Sequence, residues 1–242
     1  MWYVGVDACK GGWFAVGLGP DGARSALCRE FSEVWELYGP ITRVFVDMPV
    51  GLPERGVREA DAEARKALPA HLSSTIFNTP VRRAVYAATK DEAKSINREL
   101  TGKSLSEQSL GIVKKIREVD TYLRAHPEVR DMVFESHPEL CFGCLNGGFP
   151  SFAKKDLLGG LERFRIIRDF MPEVEFLLAD SRRLHPRTIV AGDDMLDACI
   201  LAVAARESGR PPRFHPAGLQ RPETDAEGLP MAIWHPAARG ES

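Results

Sequence analysis

Hydrophobic residues in the first fifty positions fall into short runs separated by turns rich in glycine, proline or charged residues. These runs predict strands at residues 3–6, 12–18, 23–31 and 43–46. The first three follow one another through short turns, so we expect them to form an antiparallel meander. The fourth is continuously apolar, which is typical of a buried parallel strand, and a short helix after Ser32 precedes it.

Strand-like runs are rarer in the rest of the chain. Residues 57–126 are charge-rich and helical in pattern, and this length favours a helical insertion over a loop. Further strands are predicted at 131–134 and, as an edge strand, at 228–234, and further helices at 156–170 and 192–205. This order predicts a single α/β domain over residues 1–242, with a mixed sheet of three antiparallel strands plus parallel strands, flanked by helices.

Three of the predicted strands end on an acidic residue, namely Asp7, Asp47 and Glu135. One acid at a strand end is commonly a turn former. In open α/β sheets, however, binding sites form beyond the carboxyl ends of the strands. If the first and fourth strands are adjacent and parallel, Asp7 and Asp47 lie side by side at a strand spacing of about 5 Å.

The segment GDDMLDACILAVAA, residues 192–205, contains three aspartates before an almost uniformly apolar helix. Capping explains Asp193 or Asp194, because a carboxylate at a helix start accepts hydrogen bonds from free N–H groups. Asp197 is explained less well, since it lies one turn into the apolar run, where an uncompensated charge is costly. Capping and cation binding are therefore both open for this helix.

Carboxylates gathered from these places repel one another, so either their pKa values rise or a cation neutralises them. Their hard oxygen atoms suit Mg²⁺ or Mn²⁺ better than zinc or copper. Two such ions about 3.5–4 Å apart can stabilise both the attacking and the leaving oxygen of a phosphoryl transfer. The acids therefore predict a two-metal site for phosphate chemistry.

Four motifs in a fixed order extend this picture: GVDACKGGW (5–13), DMPVGLP (47–53), ESHPE (135–139) and GDDMLDA (192–198). Together they resemble domain-of-unknown-function family 429, whose members are described as predicted ribonuclease-H-like nucleases. The resemblance runs over nearly the whole chain. The stretch DMLDA (194–198) is in addition similar to the D-x-x-D-A helix of the RuvC-type Holliday-junction resolvases.

The resemblance implies a ribonuclease-H-like fold and a divalent-metal-dependent nuclease that hydrolyses phosphodiester bonds of DNA or RNA. Carried over onto this sequence, it implies the catalytic acids Asp7, Asp47, Glu135, Asp194 and Asp197. All of these except Glu135 are implied ligands of two Mg²⁺ or Mn²⁺ ions, with Asp7 bridging the ions and Glu135 assisting. The insertion at 57–126 lies outside the minimal core of the superfamily.

Candidates for substrate binding are His137, Lys154 and Lys155. By strand alternation, His137 lies on the same side as Glu135 and could protonate a leaving group, or it is a satisfied polar group at a strand end. Lys154 and Lys155 could contact a phosphate, or they form a solvent-facing pair. The C-x-x-C pair at 141–144 lacks the second ligand pair that a structural zinc site needs.

Composition changes this picture little. The 242 residues are 44% hydrophobic and 27% charged, as in ordinary globular proteins, and the formal net charge of −2 gives no overall basic surface for nucleic acid. Short basic clusters such as Arg82-Arg83 are expected to be solvated helix faces. Five scattered cysteines, with no secretory signal or membrane-spanning run, favour a cytoplasmic protein with reduced thiols.

Two other functions stay open from the sequence. A non-catalytic binding module could keep the fold and use the acids structurally, and a phosphoryl-transfer enzyme could act on a small metabolite. The sugar-kinase and actin-like ATPases also begin with a strand-terminal aspartate, but Asp7-Ala8-Cys9 lacks the glycine of their D-x-G phosphate loop. No membrane partner is expected, and the oligomeric state is left open.

Overall fold

The computed structural model describes residues 1–209 and 212–240, which form two compact units. Within that part of the chain, unit 1 comprises 1–47, 131–213 and the segment from 234 onward, and unit 2 comprises 48–130 and 214–233. Residues 57–126, all of them described, contain helices and no strand. A single domain over 1–242 with a helical insertion at 57–126 stays a prediction.

The described part of unit 1 is built on a five-stranded mixed sheet in the order β3-β2-β1-β4-β5. Its strands are β1 (Trp2–Cys9), β2 (Gly12–Gly19), β3 (Gly22–Cys28), β4 (Ile41–Val46) and β5 (Val133–Glu135). β1, β2 and β3 pair antiparallel, whereas β4 runs parallel to β1 and β5 runs parallel to β4. This confirms the predicted α/β class and mixed sheet, and it is consistent with a ribonuclease-H-like fold.

The prediction that residues 228–234 add an edge strand to the main sheet is wrong. The observed strand β7 (Ile233–His235) forms a separate two-stranded sheet with β6 (Arg213–His215). An isolated parallel bridge joins Ser136 to Trp234, just beyond the end of β5. Proline cannot donate to a strand ladder, and the prolines at 230 and 236 keep this segment from continuing as a strand of the main sheet.

Helix α9 (Gly192–Glu207) packs directly on the sheet and is buried along most of its length. A glycine in β1 permits this close approach. A Cβ atom at Gly5 would lie 2.2 Å from the carbonyl oxygen of Ala198 and 2.2 Å from the backbone nitrogen of Ala202. Any side chain at that position would push the helix away from the strand.

The C-terminal end of α9 is held by a buried arginine of β4. Arg43 Nη1 donates to the carbonyl oxygens of Ala205 at 3.1 Å and Ser208 at 3.0 Å. A cation at this end complements carbonyl groups that the helix leaves unpaired. Unit 1 also contains α1 (Glu33–Leu37), α6 (Pro138–Asn146), α7 (Leu157–Phe170) and α8 (Val174–Leu184).

Unit 2 is helical. Its helices are α2 (Glu59–Ala67), α3 (Arg82–Val85), α4 (Lys90–Thr101) and α5 (Glu107–Ala125). One cluster of its buried apolar side chains consists of Val81, Ala84, Ala93, Leu105 and Leu110. Among the residues that the structure describes, no helix has the length and apolarity needed to cross a membrane.

Arg82 departs from the expectation that basic pairs are solvated helix faces. It is buried, and its Nη1 donates to both carboxylate oxygens of Asp120 at 2.6 and 2.7 Å, while Nη2 donates to Asp225. Asp225 also accepts the backbone N–H of Leu52 at 2.8 Å. These bonds tie separate segments of unit 2 together, so Arg82 has a structural role there.

Candidate active site

Two of the predicted acids follow neighbouring parallel strands. Val6 of β1 lies opposite Val46 of β4, and the backbone N–H of Asp47 donates to the carbonyl oxygen of Val6 at 3.0 Å. Asp7 and Asp47 are therefore the next residues on the two strands and share one face of the sheet. Asp7 is buried and Asp47 is half-buried.

Helix α9 supplies a third carboxylate at the same place. Asp197 is 1% exposed, and its charge raises the pKa of both Asp7 and Asp47. Its Oδ1 atom makes no hydrogen bond within the part of the chain that the structure describes. Asp194, one turn earlier, accepts the backbone N–H of Ala191 through Oδ2 at 2.9 Å, so it caps the start of the helix. We call Asp7, Asp47 and Asp197 the carboxylate cluster.

The pKa values of the cluster are raised, with burial as the largest cause. Burial and the charges of Asp47 and Asp197 raise the pKa of Asp7 well above its ordinary value. Burial and the charge of Asp197 raise the pKa of Asp47 to about 7. Burial raises the pKa of Asp197 to about 6 against the opposing charge of Lys154. A cation that favours the ionised carboxylates would lower all three values.

Lys154 contacts the cluster directly. Its Nζ donates to Oδ2 of Asp197 at 2.7 Å, and its charge lowers the pKa of each of the three carboxyl groups. Burial alone would lower the pKa of Lys154, but the charges of Asp197, Asp7 and Asp47 outweigh it and raise that pKa. A resident ammonium group therefore already compensates part of the negative charge.

The loop that carries Lys154 is held by the helix that follows it, α7. Arg163 Nη1 donates to the carbonyl oxygen of Phe152 at 2.9 Å. The Glu162 carboxylate accepts the backbone N–H of Ser151 at 3.0 Å and 2.9 Å through its two oxygens. These bonds hold the backbone of Ser151 and Phe152, just before Lys154 in the chain.

Sequence reasoning missed a buried ion pair beside the cluster. Arg163 Nη2 donates to both carboxylate oxygens of Glu139 at 2.8 and 2.9 Å, and both side chains are buried. The charge of Glu139 contributes to the raised pKa values of Asp47 and Asp197. Glu139 lies in the first turn of α6, which is otherwise largely apolar. An acidic residue in an otherwise apolar helix is the same pattern that singles out Asp197 in α9, so the sequence contained a signal for Glu139.

The remaining predicted residues lie at the end of β5, just before α6 and in the loop before α7. Glu135 is buried at the end of β5, and its charge contributes to the raised pKa of Asp47. His137 is half-buried at the N-cap position, immediately before α6. Lys155 is exposed, and its charge lowers the pKa of Asp194. The structure thus brings together Asp7, Asp47, Asp197 and Lys154, with Asp194 and Glu135 close enough to act on them electrostatically.

The donor set of the cluster suits a hard divalent cation. Carboxylate oxygens are the ligands that Mg²⁺ and Mn²⁺ prefer, and the buried Oδ1 of Asp197 is a donor atom without a hydrogen bond among the described residues. Within residues 1–209 and 212–240, however, no group of three or more His, Cys, Asp or Glu side chains is arranged to hold a metal ion. The donors fit the predicted metal in chemistry, and binding requires the carboxylates to close around it.

Comparison with protein-family models identifies a family for this chain. The model of the family described as Protein of unknown function (DUF429) matches residues 5–218. This range contains the carboxylate cluster, Lys154 and all four motifs described above. No curated protein and no solved structure matches the chain.

Proposed function

The chain belongs to the DUF429 family, and we propose that its carboxylate cluster is the active site of a divalent-metal-dependent hydrolase that cuts phosphodiester bonds of nucleic acid. The observation that carries the proposal is the convergence of Asp7, Asp47 and Asp197 at one buried place in unit 1. They come from two adjacent strands and from the helix packed on them. This placement agrees with the ribonuclease-H-like resemblance of the sequence motifs.

Each residue has a defined role in the proposed site. Asp7, Asp47 and Asp197 would hold the cation, and Asp194 and Glu135 are further candidate acids beside them. When bound, Mg²⁺ or Mn²⁺ supplies a hydroxide nucleophile at neutral pH and stabilises the charge on the leaving oxygen. Burial of the carboxylates strengthens their attraction for a divalent ion, because the local dielectric is lower than in water.

The raised pKa values predict how cation binding at the site depends on pH. A carboxyl group must lose its proton before it can bind a cation, so binding releases protons and strengthens as the pH rises. The pKa of Asp47 is raised to about 7 and that of Asp197 to about 6. We therefore expect these carboxyl groups to lose their protons and bind the cation close to neutral pH. We therefore expect activity to increase with pH between about 6 and 8.

A cleavage assay tests the proposal. The protein is incubated with single-stranded, duplex and branched DNA and with RNA, in Mg²⁺, Mn²⁺ or EDTA. We expect at least one substrate to be cut in the presence of metal and none in EDTA. Asp7→Asn and Asp197→Asn should each lower cleavage to background while the circular dichroism spectrum is kept. Asp169→Asn changes an exposed aspartate of α7 and is the matched control. Cleavage retained in both cluster variants contradicts the proposal.

One observation favours a second candidate function, a non-catalytic binding module of the same fold. The ion pair between Lys154 and Asp197 already compensates part of the charge without a metal. In that case the acids serve the fold, and neither Mn²⁺ binding nor cleavage is expected. Calorimetric titration with Mn²⁺ separates the two functions. Binding that is lost in Asp47→Asn supports the hydrolase, and no binding at millimolar Mn²⁺ supports the module.

A further inference from the structure

The two carboxylate oxygens of Asp197 have different surroundings. Its Oδ2 is 2.7 Å from Nζ of Lys154, while its Oδ1 makes no hydrogen bond in the described part of the chain. The side chain of Lys154 is 37% exposed, whereas that of Asp197 is 1% exposed. The ammonium therefore reaches the buried carboxylate from a position that is still open to solvent.

The charges beside the cluster set a competition for Asp197. Arg163 Nη2 donates to both carboxylate oxygens of Glu139, so the charge of Arg163 is compensated by Glu139 and not by the cluster. Among the described residues, Lys154 is a positively charged group that lowers the pKa of all three carboxyl groups of the cluster. A divalent ion at Oδ1 and the ammonium at Oδ2 would lie on the two oxygens of one carboxylate, so close together that they repel each other strongly. A divalent ion at Asp197 and the ammonium in its present place are therefore in competition.

We propose that Lys154 is a resident counter-ion of the carboxylate cluster, which a divalent cation displaces when it binds; this inference rests on the proposed function. In the metal-free protein the ammonium limits repulsion among the buried carboxylates. On displacement, its flexible four-carbon side chain moves the charge away from Oδ2 toward solvent. The freed ammonium then lies beside the cluster as a cation able to contact a phosphate oxygen of the substrate.

The surrounding structure allows the lysine to move without the loop. The backbone bonds of Phe152 to Arg163 and of Ser151 to Glu162 hold the loop independently of the lysine side chain. Loss of the contact between Lys154 and Asp197 therefore leaves these anchors in place. The competition is confined to one side chain, so it can be tested by substitution.

The experiment compares the wild type with Lys154→Met in Mn²⁺ calorimetry and in thermal unfolding at pH 8. We expect Lys154→Met to bind Mn²⁺ roughly tenfold more tightly, because no ammonium has to be displaced. In EDTA it should unfold roughly 5 °C lower than the wild type, since Asp197 has lost its partner. Mn²⁺ should raise its unfolding temperature more than that of the wild type. Lys114→Met removes the same charge from an exposed position of α5 and should change each value little.

Two further variants keep the test decisive. If Lys154→Met does not fold, Lys154→Gln, which keeps a hydrogen-bond donor without the charge, is measured in its place. Lys154→Met combined with Asp197→Asn should unfold near the wild-type temperature in EDTA and should not gain Mn²⁺ affinity. Equal or weaker Mn²⁺ binding by a folded Lys154 variant overturns the counter-ion role. A wild type that binds Mn²⁺ at the cluster but cuts no nucleic acid overturns the hydrolase and leaves the counter-ion role standing.

Discussion

Asp7 and Asp47 lie side by side because each is the residue after a paired valine on two adjacent parallel strands. They are far apart along the chain, so the sheet topology and not the local sequence makes them neighbours. Packing of α9 on the same sheet adds Asp197. Buried like charges lower the stability of the metal-free protein, and this cost is expected where a site is built to bind a cation.

Protonation of Asp47 makes the stability of the metal-free protein depend on pH. The pKa of Asp47 is raised from 3.8 to about 7, so the folded protein binds more protons than the unfolded chain between these values. The stability that Asp47 contributes is full below pH 3.8 and is lost as the pH rises through about 7. In EDTA at pH 8, Asp47→Asn should therefore be more stable than the wild type by about 1–3 kcal/mol. Thermal unfolding at pH 8 and at pH 5 checks this.

The difference between Asp47→Asn and the wild type should shrink at pH 5, where the wild-type carboxyl is mostly protonated. Asp169→Asn, at an exposed position, should show no such trend. An Asp47→Asn protein that is less stable than the wild type at pH 8 contradicts the raised pKa.

Adjacent glycines in α7 give a matched test of the loop that carries Lys154. A Cβ atom at Gly159 would lie 2.0 Å from the carbonyl oxygen of Ala153, whereas a Cβ at Gly160 meets no atom within 4 Å. Gly159→Ala should push the loop away, lower stability by about 1–3 kcal/mol and reduce cleavage. Gly160→Ala should raise stability by about 0.5–1 kcal/mol, because alanine is the better helix former. Chemical denaturation and the cleavage assay measure both variants, and equal behaviour of the two would remove the role given to the loop.

The buried pair of Arg163 and Glu139 yields a stability prediction. Arg163→Met leaves the Glu139 carboxylate buried without its partner and should lower the free energy of unfolding by about 3–5 kcal/mol. Adding Glu139→Gln removes the stranded charge and should restore part of that loss. Arg165→Met, at an exposed position of the same helix, is the control. A double variant as unstable as Arg163→Met would show that packing, not charge, sets the effect.

Much of the fold could be predicted from the sequence because the strands of unit 1 carry strong apolar runs and clear turns. The meander, the parallel β4, the acid just after β4 and the acid at the end of β5 followed from that pattern, whereas β1 continues beyond Asp7 to Cys9. The start of β5 did not, because Asp131 and Met132 belong to a short 3₁₀ helix over Pro127–Met132. Helix and strand patterns are hard to separate in so short a run.

Contacts between distant segments were the part that sequence could not supply. Lys154 was a candidate for phosphate contact, and nothing in its neighbourhood in the chain points to Asp197. Arg82 reads as half of an exposed basic pair, yet it is buried against Asp120 and Asp225. Gly5 falls inside the predicted strand at 3–6, but nothing in the sequence shows that α9 contacts the strand at this residue. Each of these pairings depends on tertiary packing.

Diffraction from crystals grown with Mn²⁺ tests the central claim most directly, because the anomalous signal locates the ion without reference to activity. The proposed site predicts a peak at about 2.0–2.6 Å from carboxylate oxygens of Asp7, Asp47 and Asp197, with Nζ of Lys154 moved away from Oδ2 of Asp197. Crystals at saturating Mn²⁺ with no peak at these residues, and with the lysine still bound to Asp197, would contradict it.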